Sequence, residues 1–527
     1  MDNAEDLSAF RELGYDMNRT ISRKLPLIIF TAAGVSGFTF LAAAGYRVYE
    51  CFGFSSDGFH YYSTLRNMVN GLGFREGPVF EYLLGVHAYL SLYALAPLVA
   101  LFRTPFVLLA VNIAMRFAAA GALFLYADRV LRPVPHGTRY AMAFSATYFF
   151  SHAVYSEMFI DVLFPPDVML PVLMFLLAYA YDAGRKPLFF AVSLLILITK
   201  EEYLPLYPVL VAWLMALGYA AHGRIKPFLS RIQTASLAVL FCSGALLSLA
   251  VLFYFRGLNT FGYGTGLDIQ AAKLIDIGAW REAPGLALRF LLPALPVIAT
   301  ALFFPVGARR TAIPLAFIAS FILGRFAENI LIYHTAKGNP WANYVIPPAI
   351  FINTVLLFSF IASTAGTRLR RRACAAVVIL GLVFAVADAR SSTTTKRIRA
   401  PWGSRDPGGC TMLRNELAEI RKAIPDAGTR YGYCIITDFF QHPFMDRSHV
   451  TTSFLRLSWK DRHRVAWEEW IRNADYCIFS KDDDTAAIRS AMADSHAVLV
   501  ETGNFTCYRN RRQPAAPRRG EKKLLDR

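Results

Sequence analysis

The sequence predicts a mainly α-helical, polytopic membrane protein, a bundle of about 11 transmembrane helices with a small α/β domain behind it. Three observations carry that expectation. The chain of 527 residues is 55% hydrophobic and only 18% charged, which excludes a disordered chain and fits an integral membrane protein. Apolar runs long enough to cross a bilayer recur along residues 25–390. From about Lys396 the composition changes to short β-branched and aromatic runs separated by helical ones.

The expected spans are 25–46, 105–130, 140–156, 168–182, 187–199, 203–221, 234–255, 285–305, 311–333, 345–364 and 373–388. Segment 83–102 is also apolar and reads as re-entrant or interfacial, because counting it as a span puts Arg129, Arg132 and Arg139 outside. The first span follows a polar leader and has too long an apolar core for a signal peptide, so it reads as a retained helix. Spans 140–156, 168–182 and 187–199 are short, and Pro165, Pro166 and Pro171 suggest broken helices lining a cavity.

The formal net charge of +17 would point to nucleic acid in a soluble protein. Here the bases cluster between apolar runs, at Arg19–Lys24, Arg129–Arg139, Arg185–Lys186, Arg224–Arg231, Arg309–Arg310 and Arg368–Arg372, as in cytoplasmic loops. No groove-reading motif accompanies them, so no nucleic-acid partner is expected. The opposite loops carry acids, among them Asp57, Glu81, Glu157, Asp161, Asp167, Glu201 and Glu202. This places residues 1–24 in the cytoplasm, residues 25–390 in a bacterial inner membrane with 47–103 as a first outer loop, and the domain at 396–510 outside. The tail at 511–527 reads as basic and disordered, and membrane lipids are expected contacts.

In the C-terminal domain RYGYCIITDFF, ADYCIFS and HAVLVETGNFTCYRN read as strands, the last a hairpin around Gly503-Asn504. Segments 411–423, 461–473 and 484–494 read as the helices between them. No glycine-rich phosphate loop follows a strand, so nucleotide binding is not expected. Cys410, Cys434, Cys477 and Cys507 form an even set that disulfides would suit outside the cytoplasm, and they also read as small apolar strand residues.

Three acidic clusters suggest chemistry at the outer face. Asp57 opens SSDGFHYYSTLRNMVNGLGF, an amphipathic helix beginning near Ser55 or Ser56, and is followed by His60, Arg66, Glu81 and His87. Asp57 reads either as a carboxylate poised over a lipid-borne substrate or as an N-terminal acid favoured by the helix dipole. EMFIDVLFPPD offers Asp161 and Asp167. Lys200-Glu201-Glu202 ends a short span, as a site or as a surface ion pair. Arg325, His334 and Lys337, near the end of 311–333, offer cations for a phosphate. The histidines are scattered, so a divalent metal has no ligand cluster to support it and the cofactor is unknown.

The order of Asp57, HAYLSLYALAPLVALF, a Pro-containing acidic loop, TKEEYLPL and NYVIPP resembles a prokaryotic family of predicted membrane proteins related to GT-C glycosyltransferases. Family members show His-Phe-Ser-Pro, Phe-Asp-Phe-His-Pro, Lys-Glu-Asp and His-Tyr motifs, and a terminal α/β domain with an Ala-Asp-Tyr strand. Here His87 matches the first His, and Asp161 or Asp167 matches the second motif's Asp. Glu202 replaces the Asp of Lys-Glu-Asp, Asn343-Tyr344 replaces His-Tyr, and Ala474-Asp475-Tyr476 matches the strand.

The resemblance implies a GT-C-like bundle and an inverting transfer of a sugar from a polyprenyl-phosphate donor to an envelope glycan or lipid acceptor. Asp57 would be the general base, and Lys200, Arg325 and Lys337 would receive the donor phosphate. The alternatives are a lipid or polysaccharide transporter, or an inactive GT-C-like scaffold of an envelope complex.

Overall fold

The computed structural model describes residues 28, 31–52, 56–71, 73–74, 82–85, 87–149, 164–204, 206–222, 231–258, 346–364, 407–424, 433–437, 440, 442–444, 450–454, 471–472, 474–482, 484 and 486–511. Helix α1 covers residues 31–50 and α2 covers Ser56–Val69. Two 3-10 turns, Leu83–Gly85 and Leu90–Leu95, lead into α3 (Ala96–Phe102), which stops where Arg103 takes a left-handed φ of 50°. Then come α4 (Phe106–Leu131), α5 (Gly137–Phe149), α6 (Met169–Ala183), α7 (Lys186–Thr199), α8 (Leu206–His222), α9 (Arg231–Leu258) and α10 (Ile346–Thr364).

The expected eleven-span bundle is not what these residues form. Among the described residues three helices are long and apolar enough to cross a membrane, Phe106–Leu131, Pro166–Ala183 and Ala235–Leu258. The physical reason is length. A helix rises about 1.5 Å per residue, so the 14 residues of α7 reach only about 21 Å against a hydrocarbon core of about 30 Å. The described parts of α5, 13 residues, and of α8, 17 residues, are not among the three, and the apolar run described in α10 is Pro348–Ser359. Helix α1 runs on through Arg47 to Glu50 and is not among the three. The spans expected at 285–305, 311–333 and 373–388 lie outside the described residues.

Ring contacts fix the helix directions. Phe38 meets Phe117 while Tyr46 meets Phe106, so α1 runs antiparallel to α4. Arg129 bonds Asp182, which joins the C-terminal ends of α4 and α6 and makes these two parallel. Gly184, with a φ of 69°, ends α6 by turning its N–H back to Ala180 and Tyr181, and α7 returns antiparallel from Pro187. Helix α9 approaches α7 closely at Gly244, where an added Cβ would lie 3.0 Å from Leu197, and Ser248 donates to the Leu197 carbonyl at 3.1 Å. Residues 106, 169 and 200 therefore share one end of the bundle. Arg129, Arg132, Arg139, Arg185 and Lys186 sit at the other.

The C-terminal region is a five-stranded mixed sheet of β1 (Tyr433–Thr437), β2 (Val450–Phe454), β3 (Tyr476–Ser480), β4 (His496–Glu501) and β5 (Phe505–Asn510), ordered β2-β1-β3-β5-β4. Strands β1, β2 and β3 are parallel, and β4–β5 is an antiparallel hairpin with an irregularity between Val498 and Val500. Alternation along the strands sends Cys434, Ile436, Ile478 and Cys507 to one face, against Leu417 and Ile420 of α11 (Pro407–Ala423). Ile435, Cys477 and Phe479 face α12 (Ala486–Met492) on the other side. Of the two readings of Cys410, Cys434, Cys477 and Cys507, the structure shows the small buried residues: the six described cysteines are all in the thiol form.

Helix α2 packs on α3 and also against β2, so the sheet lies at the bundle end where α1 finishes. Its polar residues His60, Ser63, Thr64, Arg66 and Asn67 are buried, which places α2 between the bundle and the sheet rather than on an open membrane surface.

Candidate functional site

Two breaks in helical structure converge at the bundle end near α1. Helix α7 stops at Thr199, Lys200 is extended (φ −162°, ψ 142°), and a 3-10 turn covers Glu201–Tyr203. This break directs successive side chains to different partners. Opposite it, His87–Tyr89 links the two 3-10 turns, with tight backbone bonds from Tyr89 to His87 and from Leu90 to Ala88. The Ala88 N–H is then available to a side chain.

Glu201 takes that N–H. Its Oε2 accepts from Ala88 N at 2.8 Å and its Oε1 accepts from His87 Nδ1 at 2.7 Å. The Glu201 side chain is 1% exposed and that of His87 is 23% exposed. Burial pushes the Glu201 carboxyl up, but the His87 hydrogen bond, the His87 charge and the Ala88 N–H outweigh it and hold the group below the ordinary carboxylate value. An ionised Glu201 requires His87 to donate through Nδ1–H, which leaves Nε2 as the acceptor of a neutral ring.

Lys200 points away from this pair, with Nζ 3.7 Å from Asp167 Oδ1 and 5.8 Å from the centre of the Tyr89 ring. The Tyr203 hydroxyl also donates to Asp167 Oδ1. The Tyr89 ring packs on His87 at 5.0 Å and on Tyr61 of α2 at 5.6 Å. Six side chains thus form one contiguous set: Glu201, His87, Tyr89, Lys200, Asp167 and Tyr203. With His87 neutral its formal charge is −1, from two carboxylates and one ammonium.

The structure brings together four of the sequence candidates, His87, Asp167, Lys200 and Glu201. Within Lys200-Glu201-Glu202, Lys200 pairs with Asp167 and Glu201 bonds His87. Asp57 is the second residue of α2 and Glu202 lies in the 3-10 turn. Asp161, Arg325, His334, Lys337, Asn343 and Tyr344 lie outside the described residues. Tyr89 and Tyr203 lie within HAYLSLYALAPLVALF and TKEEYLPL, but nothing in the sequence marks their role. Among the described residues no group of three or more His, Cys, Asp or Glu could hold a metal ion.

The family described as "Predicted membrane protein (DUF2079)" matches residues 57–258, a segment that contains all six side chains of this set. No curated protein matches the chain. The family match and the three apolar helices fit a membrane-associated location with lipid contacts. They provide no link to GT-C glycosyltransferases. The expected sugar transfer from a polyprenyl phosphate is withdrawn, because the many-helix bundle it presupposes is replaced by three candidate spans among the described residues.

Proposed function

We propose that the protein is a membrane enzyme in which His87 takes a proton from a hydroxyl group of an amphiphilic substrate, with Glu201 as its orienting carboxylate. The observation that supports this reading is the buried, ionised Glu201 bonded to His87 Nδ1 at 2.7 Å and to the Ala88 N–H at 2.8 Å. A carboxylate in that position fixes the tautomer, presents Nε2 as the base and stabilises the imidazolium once the proton has moved. Lys200, held by Asp167, stands over the Tyr89 ring that also packs on His87, and is the cation assigned to favour the oxyanion formed. An amphiphile fits because the site lies at one end of apolar helices.

The proposal includes sidedness. The site end lies opposite Arg129, Arg132, Arg139, Arg185 and Lys186, so the positive-inside rule puts the site on the extracytoplasmic face of a bacterial inner membrane. A membrane-impermeant maleimide should label a cysteine introduced at Arg511 and spare one at Arg185; the reverse pattern would invert the orientation.

The test of the activity is incubation of the purified full chain, in nanodiscs, with a total membrane-lipid extract, followed by mass spectrometry. Wild-type protein should deplete a lipid species, and His87→Asn with an unchanged melting profile should do so about 10²–10⁴-fold more slowly. Equal depletion by the folded variant would refute the assignment.

A further inference from the structure

The residues that end α1 all grip the C-terminal region. Glu50 pairs with Arg414 of α11 at 2.8 Å. Phe52, at a left-handed φ of 57°, buries its ring against Phe440 at 5.1 Å in the core with Leu417 and Ile420. That conformation is unfavourable for a bulky residue, and the burial of its ring offsets it. Cys51 lies between these two contacts and faces the Cys410 end of α11, and the two thiols are near enough to act on each other electrostatically. Cys410 and Arg414 are one helical turn apart, so one face of α11 meets both Cys51 and Glu50. Both cysteines are buried, at 9% and 1% exposure.

We infer that Cys51 and Cys410 are a redox pair whose disulfide locks the C-terminal region onto the end of α1. Two cysteines 359 positions apart in sequence are buried together, flanked by an ion pair on one side and an aromatic contact on the other, an arrangement in which a disulfide would join them. The reaction joins the two sulfurs and releases two protons and two electrons. An oxidised disulfide partner accepts them by thiol–disulfide exchange and leaves as two thiols.

Burial, then the neighbouring Cys410, push the Cys51 thiol up to about 12 from 9.0. Its thiolate is therefore scarcer at neutral pH than that of an ordinary thiol, and exchange is slow while the contact is closed. The lock is set when the region docks or transiently opens. The inference is independent of the role of His87.

The test uses the full chain in detergent, oxidised with glutathione disulfide, denatured, blocked with maleimide, digested and analysed by mass spectrometry. The exposed Cys242 serves as the alkylation control. The expected product is a Cys51–Cys410 linked peptide that disappears on reduction. Maleimide or glutathione on both residues, or linkage of either to Cys242, Cys434, Cys477 or Cys507, overturns the pair. Hydrogen exchange tests the lock: amides of α11 should exchange at least about tenfold more slowly in oxidised than in reduced wild type. Cys410→Ser should show no such difference. Equal exchange in both redox states of the wild type overturns the locking role.

Discussion

Replacing Glu201 with Gln isolates the group on which the proposed chemistry depends. The amide keeps the shape but turns one acceptor oxygen into a donor. Both present contacts are donors, His87 Nδ1–H at 2.7 Å and the Ala88 N–H at 2.8 Å. One of them must then face an NH₂ group inside a site where the side chain is 1% exposed. If the clash falls on the backbone N–H, a buried donor is left unsatisfied, at a cost of about 1–3 kcal/mol. If it falls on His87, the ring can change tautomer and accept at Nδ1, which puts the proton on Nε2 and removes the base.

The expected outcome is a folded protein destabilised by about 1–3 kcal/mol and slowed by about 10²–10⁴. Thermal melting and the lipid-turnover assay measure the two effects separately. The pH dependence provides a second signature. The folded carboxyl lies below its ordinary value of 4.5, so the unfolded chain takes up the proton first as pH falls. Stability from Glu201 is thus complete above about 4.5 and is lost as pH falls through the folded value. The Gln variant should lack that part of the acid limb. A Gln variant with wild-type turnover and a wild-type acid limb would refute the reasoning.

In the C-terminal region the Glu416 carboxylate accepts from the Thr502 hydroxyl at 2.8 Å, Asn504 N at 2.8 Å and Asn504 Nδ2 at 2.9 Å. Glu416→Ala should therefore loosen the β4–β5 hairpin by about 1–3 kcal/mol, read as faster hydrogen exchange at Thr502–Phe505; unchanged exchange would contradict it. His496 is buried with Nε2–H donating to the Ala474 carbonyl at 3.0 Å and Nδ1 near Ser495 Oγ at 2.8 Å, and burial holds its pKa below 6.5. Its contribution to stability is complete above about 6.5 and is lost as pH falls through the folded value, so His496→Gln should flatten the melting profile of this region below that pH. Arg129 and Asp182 meet at 3.4 Å with side chains 41% and 25% exposed, so Arg129→Ala should cost less than about 1 kcal/mol. A larger loss on melting would mean that this contact anchors α4 to α6.

The sequence showed α4, α6 and α9 because long apolar runs have few other uses. The expectation of eleven spans overshoots among the described residues because α7 is as apolar as a spanning helix, while its 14 residues, bounded by the Gly184 turn and the extended Lys200, are too few to cross. Strands β1, β3 and the β4–β5 hairpin were readable from their apolar runs and the Gly503-Asn504 turn. Strand β2 was not, since VTTSF has little apolar content, and its parallel pairing with β1 leaves no local mark. His87, Asp167, Lys200 and Glu201 were each visible as charged or titratable residues in apolar surroundings. Their pairing was not, because His87 and Glu201 are 114 positions apart. The Ala88 N–H has no side-chain signature at all. Cys51 escaped notice because the cysteine count pointed to the terminal four, while its partner Cys410 lies across an interface that only the fold creates.

That interface also bears on how the site is built. The antiparallel α1–α4 pair, the parallel α4–α6 pair and the α6–α7 turn require α1 to end where α7 breaks at Lys200. The residues that seat the C-terminal region, Glu50, Cys51 and Phe52, are therefore at the same end as His87 and Glu201. Helix α2 connects the two places: it starts four residues beyond Phe52, packs on β2 and brings Tyr61 onto Tyr89, the ring that His87 and Lys200 share. Its polar residues are buried and it contacts both α3 and β2, so it depends on both the bundle and the sheet for its position. The C-terminal sheet is then part of the structure that holds Tyr61, and through it Tyr89, in place. A soluble-looking module at the end of a membrane chain has in this protein a direct physical reason to be there.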